Sequence, residues 1–281
     1  MKPDRLSPEL RARLRHVRVT KADVDLSRFP DFLIIGPQRT GTTWLHANLR
    51  EHPEVFLSEP KELFFFSRLK EPDHPKHQSN ELEWYLKFFD DPLWLWAYKQ
   101  AMCLKRHRRP YGPKVRGEAT ASYAAIDRDV IAEITALNPE VKAIMMVRDP
   151  IDRAWSHAKK DLVRNRGRRL EEVDEQEFRQ FFADPYQLRC ARYVENLENW
   201  SAELRDGHMF VGRFDDIERR PESFLTDVLA FLGVSTDRRY VPVSVREAVN
   251  PTAESQVPEQ YRRFLEELLA EELRAWRERF A

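Results

Sequence analysis

Residues 36–45 have the residue types and the spacing of an anion-binding loop. Gly36 and Gly41 follow a short apolar run, and Thr42 and Thr43 stand where the next helix should begin. A turn of this kind between a strand and a helix directs successive backbone N–H groups and the positive end of the helix dipole at one point. The threonine hydroxyls add further donors. The loop therefore predicts a site for a phosphate or sulfate group.

The loop has the glycine spacing of a Walker A motif but lacks its lysine. That motif reads G-x-x-x-x-G-K-[ST], and Thr42 occupies the lysine position. Arg39 offers a cation from within the loop instead, and a guanidinium binds oxyanions through paired hydrogen bonds. The missing lysine argues against ordinary ATP or GTP hydrolysis and against Mg²⁺ held by the loop. A P-loop nucleotide kinase, with Asp149 as its metal-directed acid, is the alternative.

A second group of donors follows another predicted strand, residues 141–147. Arg148 comes directly after it, and Ser156 lies two turns into a helix that Pro150 starts. Arg153, between them, either faces the ligand or pairs with a neighbouring aspartate. Because ligands of parallel sheets bind at the carboxyl ends of the strands, we expect Arg148 and Ser156 to lie near the loop. The two sites suit a ligand with two separate phosphate groups.

These two motifs together resemble those of the PAPS-dependent sulfotransferase superfamily, in which 3′-phosphoadenosine 5′-phosphosulfate (PAPS) is the sulfate donor and PAP the product. Residues 37–44 are similar to its 5′-phosphosulfate loop, and residues 148–156 match its 3′-phosphate motif, R-x-P-x-x-R-x-x-S. The resemblance implies a P-loop-like α/β fold with a mainly parallel central sheet flanked by helices, and no required metal. It implies that Arg148 and Ser156 bind the 3′-phosphate. The residues implied for the 5′-phosphosulfate are Arg39, Thr40, Gly41, Thr42, Thr43 and Trp44.

The resemblance covers about residues 29–235 and favours the carbohydrate, heparan sulfate type branch. Residues 60–66 are similar to its E-x-x-F-F segment, residues 83–85 to its later W-Y helix, and residues 117–123 to its E-K-[ST]-x-x-Y strand end. The absence of an obvious membrane anchor favours a bacterial, cytoplasmic member.

Three departures from the family pattern stand out. The usual loop lysine is Arg39, and the lysine of the E-K-[ST] segment is Ala119. Residues 250–256 occupy the region of the adenine loop without its R-K-G sequence. These departures keep open a PAP-binding module without activity.

Glu62 is the candidate general base. Sulfuryl transfer resembles phosphoryl transfer, in which attack and departure are in line and charge grows on the bridging oxygen. Glu62 follows the predicted strand 55–57, where it is expected to face the sulfuryl group. Arg39 is the candidate to stabilise the leaving phosphate, although a guanidinium is a poor proton donor. The other base candidates are His46, expected on the outer side of its helix, and His157.

Residues 64–116 are predicted to form the acceptor-binding region. Within them, residues 70–113 are rich in aromatics and are predicted to be irregular apart from one helix, residues 81–89. Five aromatic residues are candidates to stack on a sugar ring or line a lipid groove: Trp84, Tyr85, Trp94, Trp96 and Tyr98. The expected acceptor is a glycan, small molecule or lipid that offers a hydroxyl, or else an amine. Glu118 is expected either to orient a loop cation or to be exposed at a strand end.

The alternation of strands and helices predicts one α/β domain, residues 29–281, after an N-terminal extension, residues 1–28. Predicted strands cover 32–35, 55–57, 141–147 and 208–214. Predicted helices cover 8–17, 42–51, 81–89, 127–137, 186–204, 221–232 and 259–280, with a further helix starting at Pro150.

Composition limits the possible partners. The 281 residues carry 47 basic and 47 acidic side chains, and 35 of the basic ones are arginine. This balance argues against a general nucleic-acid-binding protein. Apolar runs of four or five residues are too short to span a bilayer, residues 1–18 lack the apolar core of a signal peptide, and the two cysteines lack metal-ligand spacing. The sequence therefore predicts a cytoplasmic protein without a metal, nucleic-acid partner or membrane span, and leaves its oligomeric state open.

Overall fold

The computed structural model of the protein describes residues 2–247 and 256–280. Five strands form its sheet: β1 (Phe32–Gly36), β2 (Val55–Leu57), β3 (Val115–Ala119), β4 (Lys142–Val147) and β5 (Met209–Arg213). Their order is β2-β3-β1-β4-β5, and every pairing is parallel. The predicted α/β fold with a parallel central sheet is confirmed. Residues 250–255, in the region where the family's adenine loop would fall, lie outside the described residues.

Both faces of the sheet are buried. On β1, Leu33 and Ile35 belong to the apolar cluster on one face, whereas Phe32 and Ile34 belong to the cluster on the other. Successive residues of a strand point to opposite faces, so a strand covered on both sides needs an unbroken apolar run. This is why the short apolar runs of the sequence predict β1 and β4 correctly.

Helices cover both faces and extend beyond the sheet. Their bounds are α1 (Pro8–Arg13), α2 (Thr42–Leu49), α3 (Leu82–Leu86), α4 (Leu93–His107), α5 (Arg128–Leu137), α6 (Pro150–Ala158), α7 (Glu175–Ala183), α8 (Pro185–Ala191), α9 (Tyr193–Ser201), α10 (Phe214–Arg219), α11 (Pro221–Leu232), α12 (Glu259–Leu268) and α13 (Ala270–Phe280). A third apolar cluster lies between α6, α7 and α12. None of the helices in the described ranges is long and apolar enough to cross a membrane.

Two long predicted helices are each interrupted. Arg192 (φ −78°, ψ 62°) separates α8 from α9, and the Asn196 amide donates to the Arg189 carbonyl across the break at 2.8 Å. Leu269 (φ −109°, ψ 24°) separates α12 from α13. Both halves keep an apolar face, so periodicity predicts the helices but not the breaks.

Helix α4 lies in a segment that the sequence analysis expects to be irregular, and that expectation is wrong for residues 93–107. The predicted helix 81–89 is present as α3 followed by a 3₁₀ turn, Lys87–Phe89.

The N-terminal segment packs on the rest of the protein. Leu10, Val17 and Leu26 are buried in the cluster on one face of the sheet. The Glu133 carboxylate of α5 accepts a hydrogen bond from the Val17 backbone N–H at 2.9 Å. These contacts tie residues 2–28 to α5.

Candidate functional site

The carboxyl ends of β1 and β4 open into a cleft of about 1280 Å³. The cleft brings the two sequence motifs together. The predicted donor-site residues in its lining are Arg39, Gly41, Thr42, Thr43, Trp44, Arg148 and Ser156. A parallel sheet delivers the loops that follow its strands to one edge, so this arrangement follows from the strand order.

The loop between β1 and α2 presents the start of α2 to the cleft. Gly41 immediately precedes α2 in the left-handed conformation (φ 96°), which a residue with a side chain adopts at a cost. A Cβ atom at Gly41 would also lie 2.3 Å from Cδ1 of Ile217. The first N–H groups of a helix have no intrahelical acceptor, so those from Thr42 onward are suited to an anion.

Two residues of the loop have structural contacts that shape the site. The buried Thr40 hydroxyl donates a hydrogen bond to the Pro37 carbonyl at 2.6 Å. The Trp44 indole N–H donates to the Val245 carbonyl at 2.9 Å. Thr40 is thus held inside the loop, while Trp44 ties the first turn of α2 to the far wall of the cleft.

Arg39 connects the loop to the second motif. Its Nε donates to Oγ of Ser156 at 2.9 Å, and Arg148 donates from a terminal guanidinium nitrogen to the Arg39 carbonyl at 3.4 Å. The Arg148 guanidinium also lies over the Phe214 ring, 4.2 Å from its centroid. Both predicted arginines are therefore oriented at the same end of the cleft.

Positive charge is concentrated around Arg39. Burial lowers the pKa of the Arg39 guanidinium, and the neighbouring cations Arg148 and Arg164 lower it further, with Asp161 opposing them. Burial lowers the pKa of Lys159 as well, and Arg148 and Arg39 add to that effect. Like charges this close destabilise one another, so an anion bound between them is favoured.

Lys159 and Lys160 are site residues that the sequence analysis misses. They begin a π-helical segment, Lys159–Val163, that continues α6, and such segments are frequent at functional sites. Lys159 lines the cleft. Burial lowers the pKa of Lys160, and its charged surroundings include both Arg39 and Glu62. Their positions three and four residues after Ser156 are the signal that predicts a shared helix face.

Glu62 lies at the carboxyl end of β3, beside the start of the loop. Its backbone N–H donates to the Ala119 carbonyl at 2.9 Å, and its Oε2 accepts from the Ala121 N–H at 3.0 Å. The Lys61 ammonium contacts its other carboxylate oxygen. Ala121 in turn packs against Gly36, where a Cβ atom would come within 2.1 Å of the Ala121 carbonyl oxygen. The structure thus brings Glu62 and the phosphate loop to one edge of the sheet.

The two histidine candidates are both buried. The prediction that His46 lies on the outer side of α2 is wrong, because α2 is covered on that side by the segment after β2. Burial, with the nearby Lys61, lowers the pKa of His46 to about 4. His157 is paired through Nδ1 with Gln187 Oε1 at 2.9 Å, and burial lowers its pKa.

Glu118 is neither exposed nor beside a loop cation, contrary to both expectations. It is fully buried on β3, and burial raises its pKa to about 8. The hydroxyls of Tyr85 and Tyr123 face it and oppose that shift, while Glu62 adds to it. Glu118 therefore retains its proton near neutral pH.

Arg153 and Asp149 have structural contacts instead of the expected pairing. Arg153 is buried and donates to the Gln187 carbonyl at 3.2 Å. Asp149 caps α6, accepting from the N–H groups of Ile151 at 2.9 Å and Asp152 at 3.0 Å. Within residues 2–247 and 256–280, no group of three or more His, Cys, Asp or Glu side chains is arranged to hold a metal.

The aromatic residues predicted to contact the acceptor lie in different parts of the protein. Tyr85 is buried and stacks on Phe65 with 4.6 Å between ring centroids. Helix α4, which carries Trp94, Trp96 and Tyr98, is held by Gln100 against the Tyr111 backbone, just before β3 begins. These three residues are therefore at the amino ends of the strands, and the cleft is at the carboxyl ends.

A cleft at the carboxyl ends of a parallel sheet, with a glycine-bounded loop before α2, is the arrangement in which α/β proteins bind phosphate groups. The family model described as the sulfotransferase family matches residues 30–238. This chain therefore belongs to the sulfotransferase family, and the resemblance to the PAPS-dependent superfamily is confirmed.

Known relatives agree with this assignment. The bifunctional heparan sulfate N-deacetylase/N-sulfotransferase 2 of Bos taurus is 25% identical over 240 residues, covering 80% of this chain and 24% of that protein. The human N-deacetylase/N-sulfotransferase 1 is 30% identical over 148 residues, covering 50% of this chain and 14% of that protein. The chain thus spans about a quarter, or less, of the length of these relatives. Both relatives belong to the heparan sulfate type that the sequence motifs favour.

A solved structure supports the fold. The crystal structure of a sulfotransferase from Alicyclobacillus acidocaldarius matches with a TM-score of 0.59 at 24% identity, covering 90% of this chain and 97% of that chain. The predicted P-loop-like sulfotransferase fold is confirmed.

Proposed function

We propose that this chain transfers a sulfuryl group from PAPS to a hydroxyl, or to an amine, of a carbohydrate or small-molecule acceptor. The observation that carries the proposal is the convergence of Arg39, Arg148 and Ser156 in one cleft at the start of α2. Family membership supports the reaction class, and the heparan sulfate sulfotransferases among the relatives support a carbohydrate acceptor.

The donor set fits a nucleotide with separate 3′ and 5′ anionic groups. Arg148 and Ser156 would hold the 3′-phosphate, since a guanidinium and a hydroxyl both donate to phosphate oxygens. The loop from Arg39 to Thr43 would hold the 5′-phosphosulfate through backbone N–H groups and the hydroxyls of Thr42 and Thr43. Trp44 also faces the cleft. PAPS, when bound, supplies a sulfuryl group attached to a phosphate that can leave.

Charge stabilisation in this proposal rests on Arg39 with Lys159 and Lys160. Oriented cations in a partly buried site stabilise charge that develops on a leaving oxygen. The replacement of the usual loop lysine by Arg39 keeps that charge but removes a good proton donor. The Lys160 ammonium is repelled by Arg39 and attracted by Glu62, and it adds a second positive charge to that of Arg39.

Glu62 is proposed as the general base. Ala121 and Lys61 hold its carboxylate in place. Because the carboxylate is already restricted, less entropy is lost when it is positioned for proton transfer. In this role, one Glu62 oxygen accepts the proton of the acceptor hydroxyl or amine as the new bond to sulfur forms. The acceptor would then approach Glu62 over the start of the predicted 64–116 region.

Calorimetry with PAP, and with ATP plus Mg²⁺, tests the donor assignment. We expect PAP to bind without metal, and Arg148→Ala to weaken that binding by tenfold or more, while the exposed control Arg169→Ala leaves it unchanged. Tighter binding of ATP with Mg²⁺ than of PAP would support the kinase alternative and contradict the proposal.

Transfer from radiolabelled PAPS to a panel of glycans, amino sugars, phenols and lipids tests the activity. Labelled product is the expected result. PAP binding without transfer to any acceptor would instead support a PAP-binding module, which the replacements Arg39 and Ala119 favour. A bacterial origin and a cytoplasmic location stay predictions from the sequence.

A further inference from the structure

Helix α4 buries Cys103 against the protein, and its other contacts with the protein are made by polar side chains. Gln100 exchanges hydrogen bonds with the Tyr111 backbone at 2.6 and 3.1 Å. The Lys99 ammonium lies over the Phe56 ring, 4.2 Å from its centroid, and His107 contacts the Glu51 carbonyl at 3.3 Å. Most helices on a protein surface bury their apolar face, whereas α4 buries Cys103 and leaves its largest apolar side chains exposed.

The opposite face of α4 is apolar and exposed. The exposed fractions are 80% for Leu93, 72% for Trp94, 60% for Tyr98 and 51% for Leu104. At 100° per residue, these side chains fall within an arc of about 140°. Large apolar groups clustered on one exposed surface mark an interaction site.

The same face becomes cationic at its C-terminal end. Lys105 falls within that arc, and Arg108 follows the last turn in the left-handed conformation (φ 51°). Among the described residues, neither takes part in an ion pair. Arg106 and Arg109 lie nearby but are paired with Glu51 and Glu54. No residue of α4 is acidic.

We propose that the exposed face of α4 docks on an anionic membrane surface. A helix with Trp, Tyr and Leu on one face and adjoining Lys and Arg lies in the plane of the interface, with its apolar side chains among the lipid headgroups and acyl chains. The basic residues complement anionic headgroups. Tyrosine and tryptophan suit this environment because each combines an apolar ring with a polar atom.

Docking through α4 leaves the cleft accessible. The helix contacts the segments that precede β2 and β3, whereas the cleft opens at the carboxyl ends of β1 and β4. The protein would therefore lie on the membrane with the amino ends of its strands, and the donor site would lie at the carboxyl ends. This inference is independent of the proposed sulfuryl transfer.

Sedimentation with two kinds of vesicle tests the proposal: phosphatidylcholine alone, and phosphatidylcholine mixed with phosphatidylglycerol. The wild-type protein should bind the mixed vesicles and should bind the neutral vesicles weakly or not at all. Its binding to the mixed vesicles should weaken as the salt concentration increases. The double variant Trp94→Ser/Tyr98→Ser should lose most of this binding. The variant Lys105→Gln/Arg108→Gln should bind the mixed vesicles about tenfold more weakly.

Val243→Ser is the matched control, because Val243 is a large apolar residue outside α4 that is 96% exposed. It should bind vesicles as the wild type does. Circular dichroism and urea unfolding of each variant verify that the protein is folded. Equal binding to both kinds of vesicle, or unchanged binding by the Trp94/Tyr98 variant, would overturn the proposal. Light scattering gives a further test of the proposal. A wild-type dimer that becomes a monomer in Trp94→Ser/Tyr98→Ser would also overturn it, since α4 would then be an interface between two copies of the chain.

Discussion

Nε of Arg39 donates a hydrogen bond to Oγ of Ser156 at 2.9 Å, across 117 residues of sequence. Arg39 belongs to the loop before α2, and Ser156 belongs to α6, so this bond joins the two halves of the cleft. The hydroxyl restricts the guanidinium to one side, and restricted donors lose less entropy when an anion binds. Ser156 therefore positions Arg39, and in the proposed function its hydroxyl also donates to the ligand.

Ser156→Ala should weaken PAP binding by about tenfold or more, because a hydrogen bond to a charged group contributes about 1.5–3 kcal/mol. Sulfuryl transfer should fall further than PAP affinity, since Arg39 loses its orientation as well. Calorimetry and steady-state kinetics measure the two effects. Ser201→Ala, an exposed serine at the end of α9, is the control. A fall in kcat/KM equal to the loss of PAP affinity, with kcat unchanged, would indicate that Ser156 acts on binding alone.

Arg148→Lys separates charge from geometry at the second motif. The lysine retains the charge but cannot stack on Phe214 or form paired hydrogen bonds, so PAP affinity should fall, though less than in Arg148→Ala. Phe214→Leu should weaken PAP binding about two- to fivefold, because the cation–π contact contributes about 0.5–1 kcal/mol. Isothermal calorimetry measures each. If Arg148→Lys binds PAP as tightly as the wild type, Arg148 supplies only its charge.

Glu62→Gln should retain PAP affinity and lower kcat by about 10² to 10⁴, the range associated with general acid–base catalysis. Glutamine has the same shape and keeps an oxygen that can accept from the Ala121 N–H, so the loop should remain in place. Glu59→Gln, an exposed residue of the same segment paired with Arg50, is the matched control. Unchanged turnover in Glu62→Gln would exclude Glu62 as the base.

Four of the five strands and both anion motifs were predictable because their signals are local. Strand β3 is missing from the predicted strands because its sequence, VRGEA, contains no unbroken apolar run. An unbroken apolar run predicts a buried parallel strand, and a glycine-bounded turn followed by Thr42 and Thr43 predicts an anion site. That Glu62 reaches the same edge of the sheet follows from its place after β2. Its contacts with Ala121 and Lys61 depend on the strand order, which the sequence does not state.

Other features needed the fold. The burial of Glu118 depends on which face of β3 it occupies and on Tyr85 and Tyr123 packing beside it. The π-helical turn that carries Lys159 and Lys160 has no local sequence signature. Helix α4 was missed because its apolar residues were expected to stack on an acceptor, whereas they form the exposed side of a regular helix.

Glu118 should make the protein less stable as the pH rises. The ordinary pKa of a glutamate is 4.5, and burial raises that of Glu118 to about 8. Between these values the native state binds the proton and the unfolded state releases it, so the free energy of unfolding decreases with increasing pH. Between pH 4.5 and 8 the free energy of unfolding falls by about 1 kcal/mol per pH unit. The stabilisation by the protonated carboxyl group is therefore fully present below pH 4.5 and is lost as the pH approaches 8.

Glu118→Gln removes this dependence, since glutamine does not titrate and occupies nearly the same volume. Urea unfolding of the variant and the wild type between pH 5 and 8.5 measures the difference in their free energies of unfolding. We expect the free energy of unfolding of Glu118→Gln to rise relative to that of the wild type by about 1 kcal/mol for each unit of increasing pH. The exposed control Glu198→Gln should follow the wild type at every pH. A difference between Glu118→Gln and the wild type that stays constant over this range would mean that the carboxyl group is already ionised in the folded protein.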